Sequence, residues 1–157
     1  MTIYFYKSWQ PYGCFSNFSP HGITIEGIYW PAVEHYYQAQ KFLGTKDKYI
    51  INAIHNAKTP EEAAALGRHP GYKVRPDWES VKINVMRKVV LEKFNTHKEI
   101  REILLSTGKE ILVENSPTDY FWGCGASKSG QNNLGKILMD VRSKSLKNLI
   151  LKPLAIS

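Results

Sequence analysis

The sequence predicts an α+β fold: a predominantly α-helical single domain over residues 1–157 with a small antiparallel sheet. Six stretches carry helical spacing or helix start signals, whereas the strand-like runs are few and short. A chain of 157 residues buries about 68–70% of the surface that its unfolded form exposes, which is enough for one core. Its 43% hydrophobic and 22% charged residues are ordinary for a globular protein.

Composition indicates the kind of partner. The net charge of +7 favours anionic partners such as phosphates, nucleotides or nucleic acid. The aromatic content of 12% supplies flat surfaces on which bases can stack. Cys14 and Cys124 lie far apart, which predicts free thiols in a reduced compartment. Because no signal peptide or long apolar run is evident, we expect a cytoplasmic protein with no membrane partner.

The N-terminal part contains the predicted sheet. Residues 3–6 are rich in β-branched and aromatic side chains and predict a strand. Residues 23–25 and 28–30, separated by Glu26 and Gly27, predict a hairpin that leads into the first helix.

A short loop precedes this hairpin and has two interpretations. Phe15 and Phe18 flank Ser16 and Asn17. The aromatic rings could simply pin a structural loop, or the two polar side chains could form hydrogen bonds with the edge of a ligand. The residues alone leave both open.

The first helix, predicted over residues 31–43, has an unusual polar face. Pro31 suits the first helical position, but no capping side chain precedes it, so its first N–H groups need other partners, of which a bound anion is one candidate. Helical spacing places four polar or aromatic side chains on one side: Glu34, Tyr37, Gln38 and Lys41. This face is typical of a helix that lines a polar cleft. A buried helix with satisfied polar groups is the alternative.

Residues 47–56 and 59–67 predict the next two helices. Thr59 is a cap, Pro60 takes the first position and Glu62 reaches back, as in a capping box. The following loop, residues 68–76, holds Arg68, Lys73 and Arg75. These cations could form a phosphate clamp or a solvated surface.

Residues 77–95 predict the longest helix, with Asp77 as its cap and Trp78 in its first turn, either in the core or at a pocket edge. A helix over 97–106 and a buried strand over 111–114 follow. The final helix, predicted over 133–149, carries a basic surface that suits either solvent or nucleic acid.

The loop between that strand and the final helix is the second unusual stretch. Asp119, Trp122 and Gly123 combine a carboxylate, an aromatic ring and backbone freedom. The glycines that follow are not a P-loop, because Gln131 and Asn132 stand where the motif requires Lys and Ser or Thr. A helix N-terminus near Asn132 could instead hold a phosphate or a sugar.

The chemistry that remains depends on two carboxylates. The five histidines have no metal-ligand spacing, and no G-x-S-x-G elbow is present. We therefore predict no metal and no cofactor. Glu34 and Asp119 each lie among aromatic residues, and a fixed carboxylate stabilises a cationic transition state such as the oxocarbenium ion of glycoside cleavage.

Many separated motifs resemble those of the YbiA-like, or NADAR, family, in order along essentially the whole chain. They are Phe15-Ser16-Asn17-Phe18, Trp30-Pro31-x-x-Glu34-His35-Tyr36-x-Gln38-Ala39-x-Lys41-Phe42, Leu66-Gly67-Arg68, Asp77-Trp78, Lys93-Phe94, Leu104-Leu105-x-Thr107-Gly108, Leu112-Val113-Glu114, Asp119-x-x-Trp122-Gly123-x-Gly125 and Asn132-x-Leu134-Gly135-x-x-Leu138-Met139-x-x-Arg142.

The resemblance implies a mostly helical N-glycosidase fold and cleavage of a ribose C1–N bond. One implied substrate class is the ribosylaminopyrimidine 5′-phosphates of early riboflavin biosynthesis, which release ribose 5-phosphate. The other is ADP-ribose attached to guanine or a related N-linked acceptor, so ADP-ribosylated nucleic acid is a candidate partner. A non-catalytic ADP-ribose-binding module and a basic nucleic-acid-binding protein are the rival classes.

With this resemblance, the candidate residues receive roles. Glu34 is expected to activate water or stabilise the ribosyl cation, and Asp119 to orient the sugar hydroxyls or share that charge. The remaining expectations concern substrate binding: Trp78 and Trp122, with Phe15 or Tyr37, sandwich the base; Ser16 and Asn17 read its edge; Arg68, Lys41 and Asn132 hold phosphate; and Phe18, Gln38 and Gly123 also contact substrate.

Overall fold

Six α-helices and two two-stranded sheets form the structure of residues 1–156, with side chains described to Leu151, in a computed structural model. The α+β class predicted from the sequence is confirmed. The strands are β1 (Thr2–Phe5), β2 (Ile23–Ile25), β3 (Ile28–Trp30) and β4 (Ile111–Glu114). The helices are α1 (Val33–Gln40), α2 (Ile50–His55), α3 (Pro60–Gly67), α4 (Trp78–Thr96), α5 (Lys98–Ser106) and α6 (Asn133–Ile156).

The residues group into two compact units. The terminal unit comprises residues 1–16 and the chain from residue 94 onward, and the central unit comprises residues 17–93. The single domain over residues 1–157 stays a prediction, and each unit is described by itself.

The terminal unit is built on a parallel strand pair. Strand β1 pairs with β4 from Thr2 opposite Ile111 to Phe5 opposite Glu114, whereas the sequence had predicted only an antiparallel sheet. No turn sequence signals this pairing, because the two strands are about a hundred residues apart. Helix α6 packs on β4, and α5 packs on α6.

The core of this unit includes a residue expected to bind substrate. Phe15 is 1% exposed, and its ring centroid lies 5.7 Å from that of Phe5 and 6.1 Å from that of Phe94. Its predicted role in stacking a base is therefore corrected: the ring is enclosed by other core rings. Cys14 and Cys124 are both free thiols.

The central unit is built around α1, which packs against α2, α3 and β3. Small buried residues on α3, Ala63 and Ala64, allow close packing of helices. The predicted hairpin is confirmed, since β2 pairs antiparallel with β3. Its two turn residues, Glu26 and Gly27, have φ of 53° and 80°, as a two-residue type I′ turn requires.

Helix boundaries differ from the predictions where local contacts compete. Helix α1 begins at Val33, because Ala32 is extended with φ −151°. The Glu34 N–H donates to the Asn17 carbonyl at 3.1 Å. The partner of this N–H group is therefore a backbone oxygen, whereas a bound anion had been one candidate from the sequence. Helix α6 continues to Ile156, beyond the predicted end at residue 149. No helix in residues 1–156 combines the length and apolarity needed to cross a membrane.

Candidate active site

A buried carboxylate lies on the polar side of α1. Glu34 is 4% exposed and Gln38, one turn later, is 1% exposed. The Gln38 Nε2 donates to Glu34 Oε1 at 2.6 Å, as the spacing of four residues predicts. A buried charge is costly without hydrogen bonds, and this amide supplies one from within the same helix.

Arg68 approaches the same carboxylate from solvent. It follows the last residue of α3, and its Nη2 lies 3.9 Å from Glu34 Oε1. The Arg68 side chain is 63% exposed, so this ion pair contributes little to stability. The structure thus places Arg68 beside Glu34, and its predicted contact with phosphate stays a prediction.

Lys41 directly follows α1 and lies near Gly67 and Tyr37. Its Nζ donates to the Gly67 carbonyl at 3.3 Å and lies 5.8 Å from the centre of the Tyr37 ring. Burial lowers the pKa of Lys41 to about 8; Glu34 counteracts this effect, while the positive charges of Arg68 and Lys82 add to it. Lys41 is therefore mainly a cation at neutral pH, but it titrates close to that range.

Gly67 permits this arrangement because it has no side chain. A Cβ at position 67 would lie 2.1 Å from Gln38 Oε1 and 2.7 Å from Gln38 Cβ, well inside van der Waals contact. From the sequence, Gly67 was predicted only as the last residue of a helix. Its place directly before Arg68 could have suggested a role in the site, but the contact with Gln38 could not be predicted, because Gln38 is 29 positions away in sequence.

Lys41 also lines a cavity of about 510 Å³, a volume within the size range of small-molecule sites. Tyr37 and Trp78 form an aromatic wall, with ring centroids 5.1 Å apart and planes inclined by 58°. These two rings are too close for a base to fit between them, so they offer one face rather than a sandwich. Four ionisable residues also line the cavity: Lys41, Arg75, Glu79 and Lys82.

Asn17 is tied to the start of α1. It is 7% exposed, its carbonyl accepts the Glu34 N–H, and its Nδ2 donates to Met86 Sδ at 3.5 Å. Its Oδ1 is buried and has no hydrogen-bond partner within the described residues. Phe18 is half-buried in the same unit.

Asp119, in the terminal unit, organises its own loop. Its Oδ1 accepts the backbone N–H groups of Phe121 at 2.9 Å and Trp122 at 2.7 Å. The Asp119 N–H donates to Ser116 Oγ at 3.1 Å. A side chain that accepts neighbouring backbone donors in this way stabilises a turn, so the geometry gives Asp119 a structural role.

Asn132 likewise supports the backbone. Its Oδ1 accepts the Glu114 N–H at 3.0 Å, and its Nδ2 donates to the Leu112 carbonyl at 2.9 Å. The N–H groups of residues 132–134 donate to carbonyls of residues 121–123. Helix α6 begins at Asn133 as predicted, but these donors are already used within the protein. The phosphate role expected for Asn132 therefore stays a prediction.

The structure therefore divides the predicted site residues between two settings. One group shares the polar side of α1 and the segments facing it in the central unit: Glu34, Tyr37, Gln38, Lys41, Arg68 and Trp78. The other group lies in the terminal unit, where Ser16 and Gly123 are buried and Trp122 is half-buried. The described residues contain no group of three or more His, Cys, Asp or Glu side chains placed to hold a metal.

Lys82 and Glu79 line the cavity but were not predicted from the sequence to belong to the site. Their spacing of three on α4 is typical of a solvated ion pair, and nothing in the local pattern indicates a cavity beside it. The relevant neighbours, Tyr37 and Lys41, belong to α1 and to the residue that ends it. Only tertiary packing places the two helices together.

Comparison with known proteins extends this description. A family model described as the NADAR domain matches residues 4–146. The N-glycosidase Npun_R5314 of Nostoc punctiforme is 67% identical over 150 residues, which cover 96% of each chain. The chloroplastic riboflavin biosynthesis protein PYRR of maize is 49% identical over 156 residues, covering 92% of this chain and 25% of the maize protein.

A solved structure agrees with the fold. The NMR structure of the Escherichia coli protein YbiA superposes with a TM-score of 0.83 at 41% sequence identity, covering 95% of this chain and 89% of the other.

Proposed function

The chain belongs to the NADAR family, and on that premise we propose that it is an N-glycosidase that hydrolyses ribosylaminopyrimidine 5′-phosphate intermediates of riboflavin biosynthesis. Relatives named N-glycosidase and riboflavin biosynthesis protein confirm the predicted family and enzyme class. Water adds to C1 of the ribose, the C1–N bond breaks, and the nitrogen leaves with a proton. The products are ribose 5-phosphate and the free pyrimidine.

The observation that carries this proposal is the buried Glu34 carboxylate, which lies near the cations Arg68 and Lys41; Lys41 also lines the cavity. The transition state of ribosyl transfer has oxocarbenium character, and a preorganised negative charge away from bulk water stabilises it. Gln38 holds the carboxylate with a 2.6 Å hydrogen bond. Glu34 therefore either stabilises the ribosyl cation directly or takes a proton from the attacking water.

The aromatic wall suits the pyrimidine. The Trp78 and Tyr37 rings are largely buried but line the cavity, and a flat heterocycle can stack on the part that borders it. Asn17 is not among the residues that line the cavity, so its contact with the edge of the base stays a prediction. The sandwich of Trp78 with Trp122 stays a prediction, as does the cytoplasmic location.

The decisive experiment offers the purified protein two substrates and identifies the products by mass. One substrate is a ribosylaminopyrimidine 5′-phosphate, and the other is an oligonucleotide with ADP-ribosylated guanine. We expect ribose 5-phosphate from the first. Glu34→Gln should slow its release by roughly 10²–10⁴-fold, whereas Glu26→Gln, at an exposed residue paired with Lys88, should not.

The other outcomes separate the alternatives. Release of ADP-ribose from the oligonucleotide alone would identify an ADP-ribosyl hydrolase. Absence of either product, together with binding of ADP-ribose, would identify a non-catalytic binding module. Equal activity of wild type and Glu34→Gln would refute the role given to Glu34.

A further inference from the structure

Two lysines line the cavity on different elements. Lys41 directly follows α1, and Lys82 lies near the start of α4. The Lys82 side chain is only 15% exposed. The positive charges of Lys82 and Arg68 both contribute to lowering the pKa of Lys41, so each of the two lies close enough to Lys41 to repel its charge. Such a cluster is stabilised when an anion binds among it.

The counter-ion of Lys82 is easily exchanged. Glu79 forms an ion pair with Lys82 across three residues of α4, yet the Glu79 side chain is 82% exposed. An exposed carboxylate keeps most of its hydration, so losing this pair costs little. A doubly charged phosphate would interact with the lysine more strongly than the single carboxylate does.

Arg75, the third cation of the cavity, differs in this respect. Its Nε and Nη2 donate to the two carboxylate oxygens of Asp77 at 2.6 and 2.9 Å. This hydrogen-bonded pair raises the pKa of Arg75 and lowers that of Asp77. A bidentate partner two residues away holds the Arg75 guanidinium, whereas Lys41 donates to the Gly67 carbonyl and Lys82 pairs with the exposed Glu79 carboxylate.

We propose that Lys82 and Lys41 bind the phosphate monoester of the substrate in this cavity, and that Glu79 is the counter-ion which the phosphate displaces from Lys82. The inference rests on the proposed function for the identity of the ester and adds the residues that select phosphorylated over unphosphorylated ribosides. Lys82 is then a specificity-determining residue, distant in sequence from Glu34.

The test measures binding and does not depend on turnover. Titration calorimetry on the full chain compares ribose 5-phosphate with ribose. Lys82→Ala should weaken ribose 5-phosphate binding about tenfold or more, because a charged hydrogen bond is lost. Glu79→Gln should tighten it by roughly two- to fivefold, because the competing carboxylate is gone. Ribose should bind all variants equally weakly.

Matched variants exclude simpler explanations. Lys88→Ala removes another cation from α4, one paired at 3.2 Å with Glu26 and absent from the cavity lining, so it should leave ribose 5-phosphate affinity unchanged. Lys82→Arg should retain most of the binding. Thermal unfolding monitored by circular dichroism verifies that each variant is folded.

Three results would overturn the inference: no binding of ribose 5-phosphate to the wild type, equal losses in Lys82→Ala and Lys88→Ala, or weaker binding in Glu79→Gln. Failure of the proposed function has a different signature. In that case the phosphate-dependent pattern of affinities would be seen without hydrolysis, whereas hydrolysis with unchanged affinity in Lys82→Ala would reject only the inference.

Discussion

Glu34 and Asp119 show how differently two acidic residues of one chain can be used. Glu34 accepts its 2.6 Å hydrogen bond from the side chain of Gln38, and Arg68 and Lys41 contribute nearby positive charge. Asp119 accepts two backbone N–H groups of its own turn. A carboxylate held by side chains can change its bonds during a reaction while the backbone stays in place. One held by its own backbone is part of the loop's structure.

The largest expected effect contrasts the two carboxylates directly. Glu34→Gln should lower the rate of ribose 5-phosphate release by roughly 10²–10⁴-fold, the usual contribution of a catalytic acid or base. Asp119→Asn keeps an oxygen acceptor for the turn and should lower the rate much less. Single-turnover kinetics measures both. The contrast fails if Asp119→Asn loses as much activity as Glu34→Gln.

The second largest effect is expected when one tightly packed glycine in each unit, Gly67 or Gly135, is replaced by alanine. A Cβ at Gly67 would lie 2.1 Å from Gln38 Oε1, and a Cβ at Gly135 would lie 2.1 Å from the Leu112 carbonyl oxygen. Each alanine variant should lose about 1–3 kcal/mol of unfolding free energy through overpacking. Only Gly67→Ala should also lower kcat, by about tenfold, because it displaces the amide that holds Glu34.

Urea denaturation and steady-state kinetics at a temperature where both glycine variants are folded separate the two effects. A normal kcat in Gly67→Ala would mean that the position of Gln38 does not matter for turnover. A reduced kcat in Gly135→Ala alone would indicate that the terminal unit, and not the position of Gln38, affects turnover.

The third effect isolates the structural role of Asp119. Asp119→Ala removes the acceptor of the Phe121 and Trp122 N–H groups and should lower the free energy of unfolding by about 1–2 kcal/mol. Asp119→Asn should recover most of that loss. Urea denaturation monitored by Trp fluorescence provides the measurement, and identical stability of the alanine variant and the wild type would contradict the assigned role.

The smallest expected effect is a pH dependence of ribose 5-phosphate affinity that arises from Lys41. The pKa of Lys41 is lowered to about 8, so ribose 5-phosphate affinity should fall roughly twofold by pH 8 and further above it as this cation is lost. Lys41→Arg should abolish the decline, because arginine stays charged. Titration calorimetry from pH 7 to 9 measures it, and an unchanged decline in Lys41→Arg would exclude Lys41 as its cause.

The loss of the Lys41 proton also changes the free energy of unfolding with pH. The unfolded chain keeps the Lys41 proton up to its ordinary pKa of 10.5, whereas the folded chain releases it near 8. Between these values the unfolded state binds more protons, so the contribution of Lys41 to the free energy of unfolding rises with pH. Below pH 8 the full cost of burying the charge is present.

Features determined by neighbouring residues were predictable. Thr59 Oγ1 accepts the Glu62 N–H at 3.1 Å, and Glu62 Oε2 reaches back to the Lys58 N–H at 3.0 Å, close to the capping box read from the sequence. The shared face of Glu34 and Gln38 also follows from helical spacing. In each case the partners are at most four residues apart, so the geometry of one helix turn sets the contact.

Features determined by distant residues were not predictable in this way. The parallel pairing of β1 with β4, the contact of Gly67 with Gln38 and the place of Lys82 in the cavity all join segments far apart in the chain. A phenylalanine such as Phe15 is equally suited to a core and to a binding loop, so the sequence could not distinguish the two roles. Its burial in the structure shows that it belongs to the core.

The sequence by itself determined the helices, the hairpin, the family and the acidic residue of the proposed chemistry, because spacing, capping and turn residues act locally and the motifs are read in order along the chain. Tertiary structure alone decided which polar groups have partners from distant parts of the chain. A carboxylate, an amide or a lysine has the same chemistry in any sequence, but its pKa and its free hydrogen-bonding capacity depend on burial and on neighbours that packing brings together.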